Sequence, residues 1–199
     1  MLKDIRNELD ALYGRYETEY KNEEIVLGDG CIESPFVIIG EAPGKEEVRL
    51  RKPFVGAAGK NLDEFINVLG IKRENLFITN TIKYRLGKVN PKTQRIVNRP
   101  ATVQDIRNNQ RWLHDEISLL KPQIIVTLGN VPLKAVTGNF KASIGDMHGI
   151  LHSCNIAGNI FKVFPLYHPA SIIYNRALKE TYYQDVVNLK NEINNIVII

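Results

Sequence analysis

The sequence predicts an α/β protein in which a central, mostly parallel sheet of four strands lies between two layers of helices. Short, wholly apolar runs alternate with longer segments whose apolar residues recur at helical spacing. Parallel strands buried on both faces have such uninterrupted apolar sequences, and they are joined by helical crossovers. No repeat, linker or low-complexity segment interrupts residues 1–199. We therefore expect a single three-layer α/β/α domain.

Each element has its own local signal. The predicted strands are Phe36–Ile39, Leu76–Thr79, Gln123–Leu128 and Phe161–Leu166. The predicted helices are an amphipathic segment from Leu2 to Tyr16, Asn61–Leu69, Thr102–Leu120, a short helix from Asn130, and Leu178–Asn194. Gly70 suits a helix C-terminus, and Thr102 followed by Asp105 resembles a capping box. A turn or hairpin is expected around Gly145–Ser153, and a polar loop before Thr102.

The positive charge of the chain is concentrated in one segment. The formal net charge is +4. Against the single acidic residue Asp105, this segment contains Lys83, Arg85, Lys88, Lys92, Arg95, Arg99, Arg107 and Arg111. Such a cluster is typical of proteins that bind the phosphate backbone of nucleic acids, but a solvated loop and helix face has the same composition. The sequence leaves both interpretations open.

Composition also excludes several classes of protein. The chain has no apolar run long enough to span a membrane, and its acidic N-terminal segment is not a signal peptide. We expect a cytoplasmic protein, associated with the nucleoid if the source is prokaryotic. Cys31 and Cys154 are the only cysteines, so they cannot form a four-cysteine zinc or iron–sulfur site. We expect free thiols, no metal and no cofactor.

Three polar residues follow predicted strands directly. Glu41 follows the first strand, Asn80 the second and His168 the fourth. In a parallel sheet, ligands bind at the carboxyl ends of the strands, so these side chains are expected to share one site. Taken singly, each has another explanation: Asn80 could shape a turn, His168 could be a loop histidine, and Glu41 could be an exposed carboxylate.

The segment "GEAPGKEEVRLRKPFVGAAGK" has the residue types that a base-excising site requires. An extruded base needs an aromatic face and hydrogen bonds to its Watson–Crick edge. Phe54 could provide that face and the Asn80 amide those hydrogen bonds, although Phe54 could equally be a core residue. Gly56 and Gly59 would let the backbone approach a phosphate. The glycine spacing fits neither a Walker phosphate loop nor a dinucleotide-binding motif.

The chain resembles the uracil-DNA glycosylase superfamily, and within it family four. The resemblance depends on motifs that occur in the family's order, namely "GEAPGKEE", "PFVGAAGKNLDEF", "FITNTIKYR", "KPQIIVTLG" and "YHPAS". It implies that Glu41 and His168 are catalytic, with Glu47 as a supporting carboxylate. It also implies that Gly40, Ala42, Phe54 and Asn80 bind the base, with Phe54 stacking on uracil and Asn80 reading it.

The predicted DNA-binding residues come from the glycine turn, the basic segment and the matching motifs together. These are Gly56, Gly59, Lys60, Lys83, Arg85, Ser171, Ile172 and Ile173. The two isoleucines match a loop that wedges into the duplex as the base leaves, but they could also begin a packed helix.

Two departures from the family pattern change what is expected. Tyr84 and Asn109 stand where family four has cysteines of an iron–sulfur cluster, so we expect no cluster, and packing by Tyr84 and the N-terminal helix in its place. A related branch has a "KRRIH" insertion whose histidine traps the sugar covalently. This chain has a similar insertion, "NPKTQRIVNRP", with Val97 at the histidine's position, so no covalent trapping is expected. The insertion could still cover the DNA groove.

The predicted function is hydrolysis of the N-glycosidic bond of uracil in DNA by a monomeric enzyme. Two alternatives remain open from the sequence. One is a DNA-binding protein that holds uracil or a damaged base without turnover, and the other is a glycosylase with a shifted preference, for example for hypoxanthine.

Overall fold

The computed structural model describes residues 2–171, 175 and 177–197, which contain both strands and helices. The strands are β1 (Asp29–Gly30), β2 (Phe36–Gly40), β3 (Phe77–Asn80), β4 (Gly87–Val89), β5 (Ile96–Asn98), β6 (Ile124–Leu128), β7 (His152–Ile156) and β8 (Asn159–Leu166). The helices are α1 (Leu2–Glu19), α2 (Lys45–Leu50), α3 (Ala57–Leu69), α4 (Val103–Leu120), α5 (Asn130–Thr137), α6 (Ile144–Met147) and α7 (Leu178–Val197). Within the described ranges, no helix combines the length and apolar character needed to cross a membrane.

Four parallel strands form the centre of the sheet, in the order β3, β2, β6, β8. The sheet is larger than the predicted four strands, because β1 pairs antiparallel with β3 at one edge and β7 pairs antiparallel with β8 at the other. The main sheet is therefore six-stranded and mixed. The edge strands escaped prediction because β1 has only two residues and β7 is half exposed, so neither has the apolar run of a central strand.

Successive residues of the central strands point to opposite faces and build two cores. Val37 and Ile39 of β2 pack on the side of α1, α4 and α5. Phe36 and Ile38 of the same strand pack on the side of α3 and α7. Burial on both faces explains why β2 has no polar side chain. The predicted three-layer arrangement is confirmed.

The carboxyl ends of the central strands meet at one edge of the sheet. Gly40 at the end of β2 pairs with Asn80 at the end of β3. The contact continues past the strands, because the Thr81 amide donates to the Gly40 carbonyl at 2.9 Å and the Ile82 amide donates to the Glu41 carbonyl at 3.0 Å. The loop after β8 reaches the same edge.

Local structure differs from prediction in several connections. α3 begins at Ala57 rather than Asn61, and the short helix α2 was not predicted. The hairpin expected around Gly145–Ser153 lies further along, where Ala157 and Gly158 join β7 to β8. Both turn residues have positive φ, 50° and 85°, as a two-residue hairpin loop requires. The polar loop before Thr102 is also a hairpin, formed by β4 and β5.

Candidate active site

A cavity of about 460 Å³ opens where the central strands end. Its wall contains Ala42, Phe54, Asn80 and His168, which come from three separate loops and the end of β3. This volume is in the usual range for a small-ligand site. Asn80 and His168, two of the three residues expected to share a site at this edge, thus lie in the wall of one cavity, and their function there stays a prediction.

Asn80 is a buried residue whose side-chain amide is unpaired within the described part of the chain. It is the last residue of β3, only 3% of its surface is exposed, and it lines the cavity. Among the described residues, none forms a hydrogen bond with its side chain. Its amide nitrogen and oxygen are open to the cavity rather than sealed in the core, because Asn80 is not among the described residues with fully buried, unpaired polar atoms. The amide donor and acceptor are therefore available to a ligand in the cavity.

Phe54 forms an aromatic wall of this cavity and is held in a strained backbone conformation. Its φ is 53°, in the left-handed region that a bulky residue rarely adopts. Arg73 stabilises this conformation, since its Nη2 donates to the carbonyls of Pro53 and Phe54 at 3.0 and 2.9 Å. Gly59 packs against the same carbonyl, where a Cβ would come within 2.0 Å of the Phe54 oxygen.

Gly40 allows Phe54 and Asn80 to approach each other. A Cβ at Gly40 would lie 2.5 Å from Asn80 Oδ1 and 2.5 Å from Phe54 Cζ. Any side chain at this position would displace one of the two groups. Gly40 therefore sets the shape of the cavity floor.

His168 faces the cavity as a neutral hydrogen-bond donor. The Ala170 amide donates to its Nδ1 at 3.1 Å, so the proton of the neutral ring is on Nε2. Burial lowers the pKa of His168 from 6.5 to about 4. The ring lies 6.0 Å from the Phe54 ring, at an interplanar angle of 29°. Asn61 fixes this loop by donating from Nδ2 to the Pro169 carbonyl at 3.0 Å.

Glu41 has one free carboxylate oxygen. Its Oε1 accepts a hydrogen bond from the Ala101 amide at 2.9 Å. Its Oε2 has no hydrogen-bond partner within residues 2–171, 175 and 177–197. Glu41 lies between Gly40, the last residue of β2, and the cavity residue Ala42, so it is next to the cavity although it is not among the lining residues.

Glu47, predicted as a supporting carboxylate of the catalytic group, lines the cavity and is bonded to backbone amides. Its Oε1 accepts from the amides of Val55 and Gly56 at 3.1 and 2.8 Å, and its Oε2 accepts from the Gly44 amide at 3.1 Å. Both oxygens are thus engaged with backbone donors. Glu47 ties α2 to the loop that carries Phe54, so the structure makes it a positioning residue at the cavity wall.

Comparison with known proteins identifies the family. A family model described as "Uracil DNA glycosylase superfamily" matches residues 27–189. The chain belongs to this superfamily. Relatives named uracil-DNA glycosylase match most of its length.

Three archaeal proteins named type-4 uracil-DNA glycosylase are similar to this chain. The protein of Saccharolobus solfataricus is 37% identical over 169 residues, which are 83% of this chain and 74% of that protein. The protein of Pyrobaculum aerophilum is 34% identical over 164 residues, 81% and 79% of the two chains. The protein of Archaeoglobus fulgidus is 32% identical over 163 residues, 80% and 77%.

The residues of this uracil-DNA glycosylase superfamily member do not fit the iron–sulfur cluster that the family-four resemblance implies. Asn109 donates from Nδ2 to the Tyr84 hydroxyl at 3.3 Å, and Tyr16 donates to Asn109 Oδ1 at 2.6 Å. The two cysteines lie at opposite edges of the sheet, Cys31 after β1 and Cys154 on β7. A cluster needs four thiolate ligands at one place. At the two expected ligand positions, Tyr84 and Asn109 are hydrogen-bonded to each other instead.

Lys83 was predicted to contact DNA, but it is buried in the protein, so this prediction is wrong. Only 1% of Lys83 is exposed. Its Nζ donates to Glu116 Oε2 at 2.8 Å, to Thr79 Oγ1 at 3.0 Å and to the Asn80 carbonyl at 3.1 Å. The prediction failed because a lysine after a strand is usually solvated, whereas here a buried carboxylate on α4 pairs with it. Lys83 instead fixes the backbone of the cavity residue Asn80.

The phosphate contact predicted for Gly56 and Gly59 stays a prediction, and in the structure both glycines contact the protein itself. The Gly56 amide is occupied by Glu47, and the missing Cβ of Gly59 faces the Phe54 carbonyl. Lys60 is exposed on α3 and Ser171 is partly exposed after the His168 loop, so their contact with DNA stays a prediction. Ile172 and Ile173 lie outside the described residues.

Several supporting residues were not found from the sequence. Arg73 and Asn61 hold the loops of Phe54 and His168, and Asn98 lies in the cavity wall. Arg85, predicted to bind DNA, donates from Nε to Asn98 Oδ1 at 2.9 Å. Asn98 could have been found from its place in the insertion. The hydrogen bond from Ala101 to Glu41 could not, because Ala101 donates only through its backbone amide.

Proposed function

We propose that the chain is a monofunctional uracil-DNA glycosylase that hydrolyses the bond between uracil and deoxyribose and leaves an abasic site. The proposal is carried by the buried, unpaired amide of Asn80 beside the face of Phe54. Membership of the superfamily and the names of the relatives support it. The enzyme acts as a monomeric single domain, in the cytoplasm where DNA is accessible, and uses neither metal nor cofactor.

Asn80 selects the base. An amide that accepts from N3–H and donates to O4 pairs with the Watson–Crick edge of uracil. Cytosine has an amino group in place of O4 and no proton on N3, so the same amide would meet a donor with a donor and an acceptor with an acceptor. Phe54 stacks on the base, a contact that contributes about 1–3 kcal/mol in nucleic-acid sites.

Cleavage separates charge, and His168 and Glu41 stabilise the two products. The electron pair of the C1′–N1 bond moves to the uracil ring, and the negative charge is shared with O2. The neutral His168 donates a hydrogen bond from Nε2 to O2 without transferring its proton. The sugar becomes an oxocarbenium ion, which the Glu41 carboxylate stabilises.

Water completes the reaction at the sugar. A water molecule attacks C1′, and the free Oε2 of Glu41 accepts its proton, which later passes to solvent or to the uracil anion. Val97, at the position of the sugar-trapping histidine of the related branch, has no nucleophilic atom. The product is therefore free uracil and an abasic strand, with no covalent protein–DNA adduct.

The experiment is excision from a labelled oligonucleotide that contains one uracil, followed by alkali to cleave abasic sites. We expect strand cleavage by the wild type, and at least a hundredfold slower cleavage by Glu41→Ala and His168→Ala. A parallel gel shift measures binding. Intact DNA together with tight wild-type binding would replace this proposal with that of a protein that holds uracil-containing DNA without turnover.

A further inference from the structure

The insertion between β3 and α4 folds into the β4–β5 hairpin, which carries three exposed cations. Lys88, Lys92 and Arg95 are exposed, and no acidic residue occurs in 87–100. In the described part of the chain, no carboxylate forms a salt bridge with these three. This charge distribution suits contact with an anionic partner.

The other cations of the basic segment have partners within the protein. Arg99 forms a double ion pair with Asp105, at 2.7 and 3.1 Å, and Arg111 pairs with Glu19. Arg107 lies over the Phe140 ring, 5.2 Å from its centroid. Lys83 is buried against Glu116, whereas Arg85 is bonded only to neutral oxygens of Asn98 and Ile96. Among the described residues, the charge without a carboxylate partner therefore lies on the hairpin, on Arg85 beside it and on Arg107.

One face of the hairpin is apolar and continues into the active-site cavity. Val89 and Ile96 are paired across the two strands, and 58% and 57% of their surfaces are exposed. Asn98 is two residues from Ile96 on the same strand, so both side chains project from the same face, about 7 Å apart. Asn98 lines the cavity with Phe54 and Asn80.

Asn98 is oriented at the cavity wall. Arg85 donates from Nε to Asn98 Oδ1 at 2.9 Å and from Nη2 to the Ile96 carbonyl at 3.3 Å, so the amide oxygen is fixed. The Nδ2 group lies 3.4 Å from the Cβ position of Gly44 and donates to no described residue. It is therefore a free donor at the cavity. The hairpin is also tied to the catalytic region through Ala101 and Glu41.

We infer that the hairpin face formed by Asn98, Ile96 and Val89 is a subsite for the nucleotide next to the extruded uracil in unpaired DNA. Asn98 Nδ2 donates to the sugar–phosphate backbone between the two nucleotides. The flanking base packs on Ile96 and Val89, and the three cations contact phosphates further along the strand. This inference rests on the proposed function, because it requires uracil to occupy the cavity.

The geometry favours a DNA strand over a protein partner for this face. The apolar pair is small, the hairpin segment 87–100 carries cations and no acidic residue, and Asn98 on the same face lines the cavity. A base that remains stacked in a duplex cannot lie on an apolar surface beside the strand. The subsite therefore binds DNA whose flanking base is unstacked. Bases unstack more readily in single strands than in a duplex.

The test measures the Kd for uracil-containing single-stranded and duplex oligonucleotides by fluorescence anisotropy. Every protein carries Glu41→Gln, which prevents excision but keeps an oxygen that can accept from the Ala101 amide. For the double variant Ile96→Ala, Val89→Ala, we expect a five- to tenfold higher Kd on single strands, because the apolar contact with the flanking base is lost. On duplex DNA we expect the Kd to change less than twofold. Asn98→Asp should raise the Kd on both, because it places a carboxylate beside the backbone. Matched controls are Ile160→Ala and Asn191→Asp, which are exposed elsewhere.

The cations are tested separately through salt dependence. Replacing Lys88, Lys92 and Arg95 by Gln should lower the slope of log Kd against log salt concentration by about 2, since each lost phosphate contact contributes about 0.7–0.9. The control replaces the exposed Lys121, Lys141 and Lys162 by Gln and should keep the slope. An unchanged Kd in the hairpin variants, or equal losses on single strands and duplex for the apolar pair, would overturn the inference. Failure of the proposed function would appear instead as absent excision by the wild type in the separate cleavage assay.

Discussion

Individual residues at the cavity are held by contacts that a sequence motif does not contain. Asn80 matches the family motif, but its availability to a base depends on Gly40, whose missing side chain leaves room for it. Phe54 likewise depends on Arg73, which stabilises its left-handed backbone. The base-binding residues, Gly40 among them, could thus be predicted from motifs. The support from Arg73 could not, since its side chain bonds to backbone carbonyls, which have no signal in the sequence.

Gly40→Ala should abolish productive uracil binding. The added Cβ would lie 2.5 Å from both Asn80 Oδ1 and Phe54 Cζ, so one of them must leave its position. We expect at least a hundredfold lower kcat/KM for excision, from loss of base contacts that contribute about 3 kcal/mol or more together. The control is Gly14→Ala on α1, where no atom lies within 4 Å of the new Cβ. Normal excision by Gly40→Ala would contradict the assigned role of the cavity floor.

The lowered pKa of His168 predicts a specific pH dependence. Its folded pKa is about 4 and its ordinary value is 6.5, so between these values the unfolded chain binds a proton that the folded chain does not. The contribution of His168 to the free energy of unfolding is fully present above pH 6.5 and decreases as the pH falls toward 4.

Urea unfolding at pH 7 and pH 5 measures this effect. The wild type should lose about 1–2 kcal/mol more stability over this interval than His168→Asn, which lacks the titrating group. An NMR titration of the imidazole should give the folded pKa directly. A midpoint near 6.5 would show that the ring is solvated, against its proposed role as a neutral donor.

At the scale of elements, apolar strands were predictable and polar ones were not. The four central strands were found within one or two residues of their ends, because burial on both faces demands wholly apolar sequence. The insertion was predicted as a loop because β4 and β5 have exposed, mixed sequences, and pairing between them sets their structure. Lys83 shows the same limit, since only its tertiary partner Glu116 makes it a buried residue.

Lys83→Met should strongly destabilise the fold. The substitution leaves Glu116 as a buried carboxylate without its cationic partner, which costs about 3–5 kcal/mol. The control, Lys88→Met on the exposed hairpin, should change stability by less than about 0.5 kcal/mol. Urea unfolding measures both variants. If Lys83→Met were as stable as the control, the ion pair would not be the support of β3 and Asn80 that its contacts indicate.

At the scale of the whole molecule, a cluster of aromatic side chains joins α1, the segment after β3, and α4. Tyr16 lies 4.6 Å from Tyr20 and 5.4 Å from Trp112 between ring centroids, and Tyr20 lies 5.0 Å from Tyr84. Asn109 links Tyr16 and Tyr84 by hydrogen bonds. These contacts connect the N-terminal helix to the sheet where the resemblance to family four implied a metal cluster.

The purified protein should therefore contain no iron and show no visible absorbance, and a chelator should leave its Tm unchanged. Asn109→Ala should lower stability by about 1–3 kcal/mol, because it removes the acceptor of a buried tyrosine hydroxyl. The exposed Asn108→Ala is the matched control. Bound iron in stoichiometric amount, or destabilisation by the chelator, would contradict the replacement of the cluster by packing.

The most direct measurement is single-turnover release of free base from oligonucleotides that carry uracil, cytosine or hypoxanthine, detected by mass spectrometry for the wild type and Asn80→Asp. We predict that the wild type releases uracil and leaves cytosine in place, and that Asn80→Asp loses this discrimination because a carboxylate cannot donate to O4. Unchanged discrimination by Asn80→Asp, or wild-type release of hypoxanthine faster than uracil, would contradict base selection by the Asn80 amide.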